Sequence, residues 1–318
     1  MRQMRICALG CGTMGAPTAA VFALGGCDVF LAARNRTRSE EGKSLALEAL
    51  DVLERQGIEG EPALAAAKER LHPCDGLEEA ARDADVVMES VPEDIAFKKE
   101  MYARVERVVR DGVPILSNTS GLMPSLLSGG MAHPERFVVT HFWNPPHLIP
   151  LVEVVPGPKT APKVTARVTE LLRSLGKKPV VLRKEAAGFI GNRLQFALLR
   201  EAFHIVESGV ASKEDVDEAV RNSLGRRLRN TGPFETADLG GLDVFLSISR
   251  YLFPDLSGSV TPPRELSDAV ARGDLGAKTG SGLGDWTAEK IAFVKKARET
   301  TLVRCLLEDR DTHTQSES

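Results

Sequence analysis

Gly10-Cys11-Gly12-Thr13-Met14-Gly15 is the first stretch whose residue types and spacing could do chemistry. A GxGxxG run alone is a weak signal. Here it follows the apolar run Met4–Leu9 and opens an Ala-rich stretch, Ala16–Leu24. That is the strand–turn–helix context a dinucleotide-binding turn requires. Gly10 permits the tight turn, Gly12 lets the backbone approach a pyrophosphate, and Gly15 allows close packing of helix on strand. The helix start presents unpaired N–H groups and the positive end of its dipole to phosphates. Cofactor contacts are therefore expected from Gly10, Gly12, Thr13, Met14 and Gly15. A Gly-rich turn in an unrelated sheet is the competing reading, and the context disfavours it.

The second strand should end in Asp or Glu if the cofactor is NAD, because that carboxylate holds the adenine ribose hydroxyls. The corresponding place is Ala33, followed by Arg34, Asn35, Arg36, Thr37 and Arg38, with no carboxylate available. Guanidinium forks match phosphate geometry. The expectation is NADP ahead of NAD, with Arg34, Asn35 and Arg36 at the 2′-phosphate; a solvated basic loop is the alternative.

Three later segments carry polar residues where strands end or a helix begins. They are Ser117-Asn-Thr-Ser120, His141-Phe-Trp-Asn-Pro-Pro146 and Gly188-Phe-Ile-Gly-Asn192. The carboxyl ends of parallel strands are where an open α/β sheet places its ligand. A lone histidine after Val138-Val139-Thr140 is more often a satisfied core residue than a catalyst. Glu153, inside Leu151-Val-Glu-Val-Val155, is harder to dismiss, because a carboxylate in an apolar run needs a partner. His141 is the natural candidate.

Positioning such residues requires a layered frame. Up to about residue 185 short β-rich runs alternate with helical stretches: Met4–Leu9, Asp28–Ala32, Ala84–Val91, Pro114–Leu116, Phe137–Phe142, Leu151–Val155 and Pro179–Leu182 read as strands. Residues 39–83 read as helical, and Phe97–Arg110 has amphipathic spacing. Alternation of this kind predicts an α/β fold: a doubly wound, mostly parallel Rossmann sheet with helices on both faces. Beyond 186 strand signals stop. Helices are expected over Phe189–Glu207, ending at Gly209, then after a capping box at Ser212-Lys-Glu-Asp215, and near 238–253, 264–272 and 287–308. The last ten residues should fray. The expected domains are 1–185, dinucleotide-binding, and 186–318, all-helical.

With these residues in view the sequence resembles the 3-hydroxyacyl-CoA dehydrogenase family, most closely its lambda-crystallin or L-gulonate 3-dehydrogenase branch. The matching stretches are Glu89-Ser-Val-Pro-Glu-Asp94, Thr119-Ser-Gly-Leu-Met-Pro-Ser125, Asn144-Pro-Pro146, Ile149-Pro-Leu-Val-Glu153, Ala187-Gly-Phe189, Asn192-Arg-Leu-Gln195 and Gly232-Pro-Phe-Glu-Thr236. The resemblance implies a catalytic set of Ser120, His141, Glu153 and Asn192. It implies that Glu93 and Lys98 lie beside the nicotinamide ribose. It also implies a helical C-terminal domain, similar to that of 6-phosphogluconate dehydrogenase, that builds a homodimer. His141 would act as general base, Glu153 would orient it, Ser120 would bind the substrate oxygen and Asn192 would place the carbonyl. Two departures stand out: the missing acid at Ala33, and Leu283 or Gly284 where the family carries an aromatic.

Composition bounds these readings. The chain has 318 residues, suited to two domains. It is 42% hydrophobic and 27% charged, which excludes disordered and fibrous classes. Its 41 basic and 44 acidic residues leave a net charge of −3, so no nucleic-acid partner is expected. No apolar run is long enough for a membrane span. Five scattered cysteines lack metal or redox spacing, so no metal is expected and a reducing cytoplasmic setting is.

The substrate is expected to be a small molecule. Lys43, Arg55, Lys68 and Arg70 are diluted among acids, without the lysine-dense helix a CoA-binding surface would carry. Arg227 aligns with an arginine of the gulonate branch and could clamp a carboxylate bidentately. The reading is therefore a free 3-hydroxy acid interconverted with its 3-oxo form. The alternatives are a 3-hydroxyacyl-CoA thioester, reduction of a related ketone or imine, and a cofactor-binding structural role like that of a crystallin.

Overall fold

The computed structural model describes residues 3–316, and side-chain environments as far as residue 310. The chain enters through β1 (Arg5–Leu9), turns into α1 (Gly15–Leu24) and returns as β2 (Asp28–Ala32). Then come α2 (Arg36–Arg55), α3 (Glu61–Glu69), β3 (Leu71–Pro73), α4 (Leu77–Ala81), β4 (Val86–Glu89) and α5 (Ile95–Val108). The expected single helical stretch over 39–83 is thus three helices and a strand. Leu71-His-Pro73 is too short to show a period, and it is a strand because Val29 and Leu31 of β2 offer it a parallel edge. Next are β5 (Ile115–Ser117), α6 (Pro124–Leu127), β6 (Phe137–Phe142), β7 (Leu151–Pro156), α7 (Pro162–Ser174) and β8 (Lys178–Val181).

The eight strands form one sheet in the order β3-β2-β1-β4-β5-β6-β7-β8, parallel throughout except for the antiparallel β6–β7 pair. From β1 the chain winds outward to β3, then crosses back to β4 on the other side. This reversal opens the crevice between the ends of β1 and β4. Successive residues of β1 serve opposite faces: Ile6 and Ala8 join one apolar cluster, Cys7 and Leu9 the other. Burial on both faces explains why the strands read as continuous apolar runs. All six residues of β6 are buried, Thr140 and His141 included.

The chain divides into two compact units. The first takes in residues up to Asn192 and those from Lys295 onward, and the second is Arg193–Val294. The second unit is helical. It contains most of α8 (Gly191–Glu207), then α9 (Lys213–Asn222), α10 (Leu224–Arg227), α11 (Pro233–Gly240), α12 (Leu242–Leu252) and α13 (Arg264–Arg272). Ser212 and Asp215 form the expected capping box, and Gly209 has the expected left-handed backbone. The single helix expected near 238–253 is broken at Gly241, whose φ of +88° ends one helix and starts the next. The last helix, α14 (Ala288–Ser316), rejoins the first unit, where Val303 is buried in the same apolar cluster as residues of α1 and α7. It continues to Ser316 where fraying was expected; residues 317 and 318 lie outside the described residues. All five cysteines are free thiols. Among the described residues no helix is long and apolar enough to cross a membrane, and no cluster of His, Cys, Asp and Glu could hold a metal ion.

Candidate active site

The glycine turn sits at the crevice. Gly10 has φ +89°, and a Cβ there would lie 2.7 Å from the Ser90 carbonyl oxygen of the neighbouring strand end. At Gly15 a Cβ would meet the Gly10 oxygen at 1.8 Å, so only glycine lets α1 start this close to β1. At Gly12, by contrast, a Cβ would meet nothing within 4 Å. Met14 begins α1 with no side-chain cap and no acid in the first turn. An open glycine beside an uncapped helix start, at the sheet's switch point, fits a pyrophosphate.

At the end of β2 the expected basic site is only partly free. Asn35 spends its side chain capping α2, accepting from Arg38 N at 3.0 Å. Arg36 pairs with Glu40 at 3.0 Å, and Arg38 pairs with Glu41. No carboxylate pairs with exposed Arg34 among the described residues.

Across the crevice, β4 ends in Glu89, wholly buried and accepting four hydrogen bonds. Lys98 Nζ donates at 2.7 Å, Val91 N at 2.7 Å and Ser117 Oγ at 2.7 Å, and the Tyr102 hydroxyl is the fourth donor. Burial first, and the Glu89 charge next, push the Tyr102 hydroxyl far up, so it remains a donor. Lys98 is 1% exposed and also reaches Glu93 Oε2 at 3.3 Å. The other oxygen of Glu93 accepts from Thr119 Oγ1 and, at 3.1 Å, from Ser120 N. The two residues implied to flank the ribose are thus linked to each other and to the Ser120 loop. Glu89, Ser117 and Thr119 lie in stretches singled out in the sequence but carried no assigned role there, and Tyr102 was not anticipated. The signal was present: Glu89 is a carboxylate in an apolar run, as Glu153 is, and Lys98 and Tyr102 lie one helical turn apart on α5.

The four implied catalytic residues do converge. In the β6–β7 register His141 stands opposite Glu153, and Nδ1 lies 2.8 Å from Glu153 Oε2. Burial pushes the Glu153 carboxyl up, but hydrogen bonds from His141, Gly191 and Ile190 outweigh it and hold it below the ordinary carboxylate range. An ionised carboxylate only accepts, so Nδ1 carries the proton and Nε2 is left as the basic nitrogen. Glu153 Oε1 accepts from Ile190 N at 2.8 Å and Gly191 N at 3.0 Å, the leading N–H groups of α8. The next residue, Asn192, donates from Nδ2 to the Ser120 carbonyl oxygen at 2.6 Å. Gly188 and Phe189 both have left-handed backbone just before α8. Phe189 is a rare non-glycine residue there, and its buried ring packs 5.6 Å from His141. Two side chains unforeseen in this role, Phe189 and Trp143, line the imidazole. Arg227 belongs to the second unit and is exposed at the end of α10.

The family model for the NAD-binding domain of 3-hydroxyacyl-CoA dehydrogenase matches residues 5–186, and the model for its C-terminal domain matches residues 188–286. The chain belongs to the 3-hydroxyacyl-CoA dehydrogenase family. It is an oxidoreductase with an NAD-binding Rossmann domain and a helical C-terminal region. Among its relatives, 5-formyl-3-hydroxy-2-methylpyridine 4-carboxylate 5-dehydrogenase of Mesorhizobium japonicum is 36% identical over 96% of this chain and 99% of its own. An L-carnitine dehydrogenase of a Pseudomonas species is 38% identical over 94% of this chain and 92% of its own. The human lambda-crystallin homolog is 35% identical over 76% of each. A solved structure of the pyridine carboxylate dehydrogenase, described as an NAD+ dependent dismutase, superposes with a TM-score of 0.88 at 35% identity, covering 95% of this chain and 97% of that one.

Proposed function

We propose that this enzyme interconverts a small, free hydroxy acid and its oxo form by hydride exchange with a nicotinamide nucleotide, with His141 as the base. The observation that carries the reading is the buried Glu153–His141 pair, which spends Nδ1 and leaves Nε2 for a substrate hydroxyl. When bound, the nucleotide accepts the hydride. This chain's residues do the rest. His141 Nε2 takes the hydroxyl proton, and the ionised Glu153 stabilises the imidazolium that results. Ser120 hydrogen-bonds the same substrate oxygen. Asn192, tied to the Ser120 carbonyl, orients the carbon that becomes the carbonyl. Glu93 and Lys98 hold the nicotinamide ribose and keep the Ser120 loop in register with it.

Relatives named for a pyridine carboxylate and for carnitine support a free acid over a thioester. Arg227 is proposed to receive the substrate carboxylate. NAD is the coenzyme of the family model. A preference for NADP finds no support among the relatives, and it rests on Ala33 and on Arg34 alone, since Arg36 and Arg38 are already paired. The domains are proposed as 1–185 for the nucleotide and 186–318 for substrate and pairing, with the chain from Lys295 onward packing back into the first compact unit. In the second unit Phe234, Leu239 and Phe253 are 86%, 78% and 68% exposed, which supports a homodimer built through that unit. Free thiols throughout support a reducing, cytoplasmic setting.

A steady-state comparison of L-gulonate, L-carnitine, 3-hydroxybutyrate and 3-hydroxybutyryl-CoA, each with NAD and NADP, tests the reading. Activity confined to the thioester overturns the free-acid assignment. Equal use of both nucleotides would remove any role for Arg34.

A further inference from the structure

Trp143 stands beside the base and takes no part in the proton transfer just described. Its indole Nε1 donates to Glu153 Oε2 at 3.3 Å, the same oxygen that accepts from His141 Nδ1. Its ring stands 5.4 Å from the imidazole, tilted by 49°. A Cβ on Gly191 would lie 2.2 Å from Trp143 Cζ2, so the glycine that opens α8 leaves the space the indole fills. The loop after Trp143 is held from beneath: Lys177 Nζ donates to the carbonyls of Pro146 and Ile149, and Arg298 donates to that of Asn144 at 3.1 Å. The indole thus has its own hydrogen bond, and the loop that follows it is anchored through its backbone.

We propose that Trp143 is a positioning residue for the base, sharing Glu153 Oε2 with His141 and so limiting how strongly that carboxylate draws the imidazole proton. The physical basis is competition for one acceptor. A carboxylate oxygen that already receives a donor is a weaker partner for the next, so the indole weakens the imidazolium's stabilisation without touching the imidazole nitrogens. A base too tightly held by its carboxylate would stay protonated at the pH where it must accept a proton. The titratable groups on the neighbouring segments are Glu93 and Lys98 at the Ser120 end, Glu185 on the chain leading to α8, and Lys177, Arg298 and His147 about the 144–150 loop, with burial pushing the His147 pKa down to about 4. Among the described residues, none of these six donates to or accepts from His141 or Glu153.

The inference rests on His141 being the base, so the test separates the two. In the oxidation direction kcat/KM is measured against pH for the wild type, Trp143→Phe and His141→Ala. Phenylalanine removes the donor and keeps an aromatic ring, a smaller one that gives up part of the indole's packing on Gly191. The expected result is an acid limb in the wild type that moves up in Trp143→Phe by about half a pH unit, about a threefold change in proton affinity. NADH affinity by fluorescence stays within about twofold. An acid limb that stays in place or moves down overturns the proposal, even if turnover falls. If Trp143→Phe turns over too slowly to assay, NMR titration of the imidazole signal that disappears in His141→Ala reads the same shift. If instead His141→Ala keeps its turnover, the assignment of the base fails, and the NMR titration still decides whether the indole competes with the imidazole.

Discussion

Glu89 and Glu153 are two buried carboxylates on strands of the same sheet, and their partners differ. Glu89 is 0% exposed and Glu153 1% exposed, and each accepts four hydrogen bonds. Burial and donor number do not tell them apart. The partners do. Every donor to Glu89 is itself buried or is backbone, and its lysine, Lys98, is bridged onward to Glu93. One donor to Glu153 is an imidazole with a second nitrogen left over. A saturated carboxylate braces a fold. A carboxylate whose partner has an unspent atom can do chemistry.

That contrast can be broken by experiment, and the largest effect tests its catalytic side. His141→Ala is expected to lower turnover by about 100- to 10,000-fold while leaving NADH affinity near wild type. Wild-type turnover would place the chemistry elsewhere. Glu89→Ala should do the opposite kind of damage. It strands Lys98, 1% exposed, without its main carboxylate, and removing one partner of a buried pair costs about 3–5 kcal/mol. Urea unfolding reads this directly, and a loss under about 1 kcal/mol would show the network to be slack.

Tyr102→Phe is gentler. It deletes one donor to Glu89 and the hydroxyl contact with Ser117 Oγ, with an expected cost of about 1–3 kcal/mol in the same assay and turnover within a few fold. A collapse of activity with stability intact would move Tyr102 to the catalytic side of the comparison.

The smallest effect is a change of slope. The folded state holds Glu153 below the ordinary carboxylate range, so its unfolded form binds a proton first as pH falls. Its contribution to stability is therefore complete above about pH 5 and lost as pH drops through the folded value. Glu153→Gln should flatten that acid limb in urea midpoints measured from about pH 6 downward. An unchanged limb would mean the carboxylate is not ionised in the fold.

Much of this was legible in the sequence, for reasons that differ by residue. Gly10, Gly12 and Gly15 are readable because backbone geometry at a strand–turn–helix admits little else. Glu153 is readable because an ionisable group inside Leu151-Val-Glu-Val-Val155 violates the apolar pattern and demands a partner. Glu89 carried the same signal, but the fold alone shows that Lys98 and Tyr102 of α5 are its donors. The strand Leu71–Pro73 was illegible outright, because three residues have no period and become a strand only through an edge supplied by β2. The basic cluster after β2 was overread: on a helix Arg36 and Arg38 find Glu40 and Glu41 one turn away, a pairing that spacing allowed and geometry chose.

By itself, then, the sequence determined the local matters: where the chain turns, where the longer strands and helices run, and that His141 and Glu153 each needed an explanation. Tertiary structure decided the non-local ones. The antiparallel register of β6 and β7 sets imidazole against carboxylate. The left-handed turn at Gly188 and Phe189 aims the first N–H groups of α8 at the same carboxylate. The last helix returns to seal the first unit, where Arg310 donates to the Ile58 carbonyl. These contacts join residues from 12 to 252 positions apart, and no local propensity encodes a contact between them. They exist because burying the sheet's two apolar faces brings Glu89 and Glu153 out of water, and the fold that does so must also bring each of them its donors.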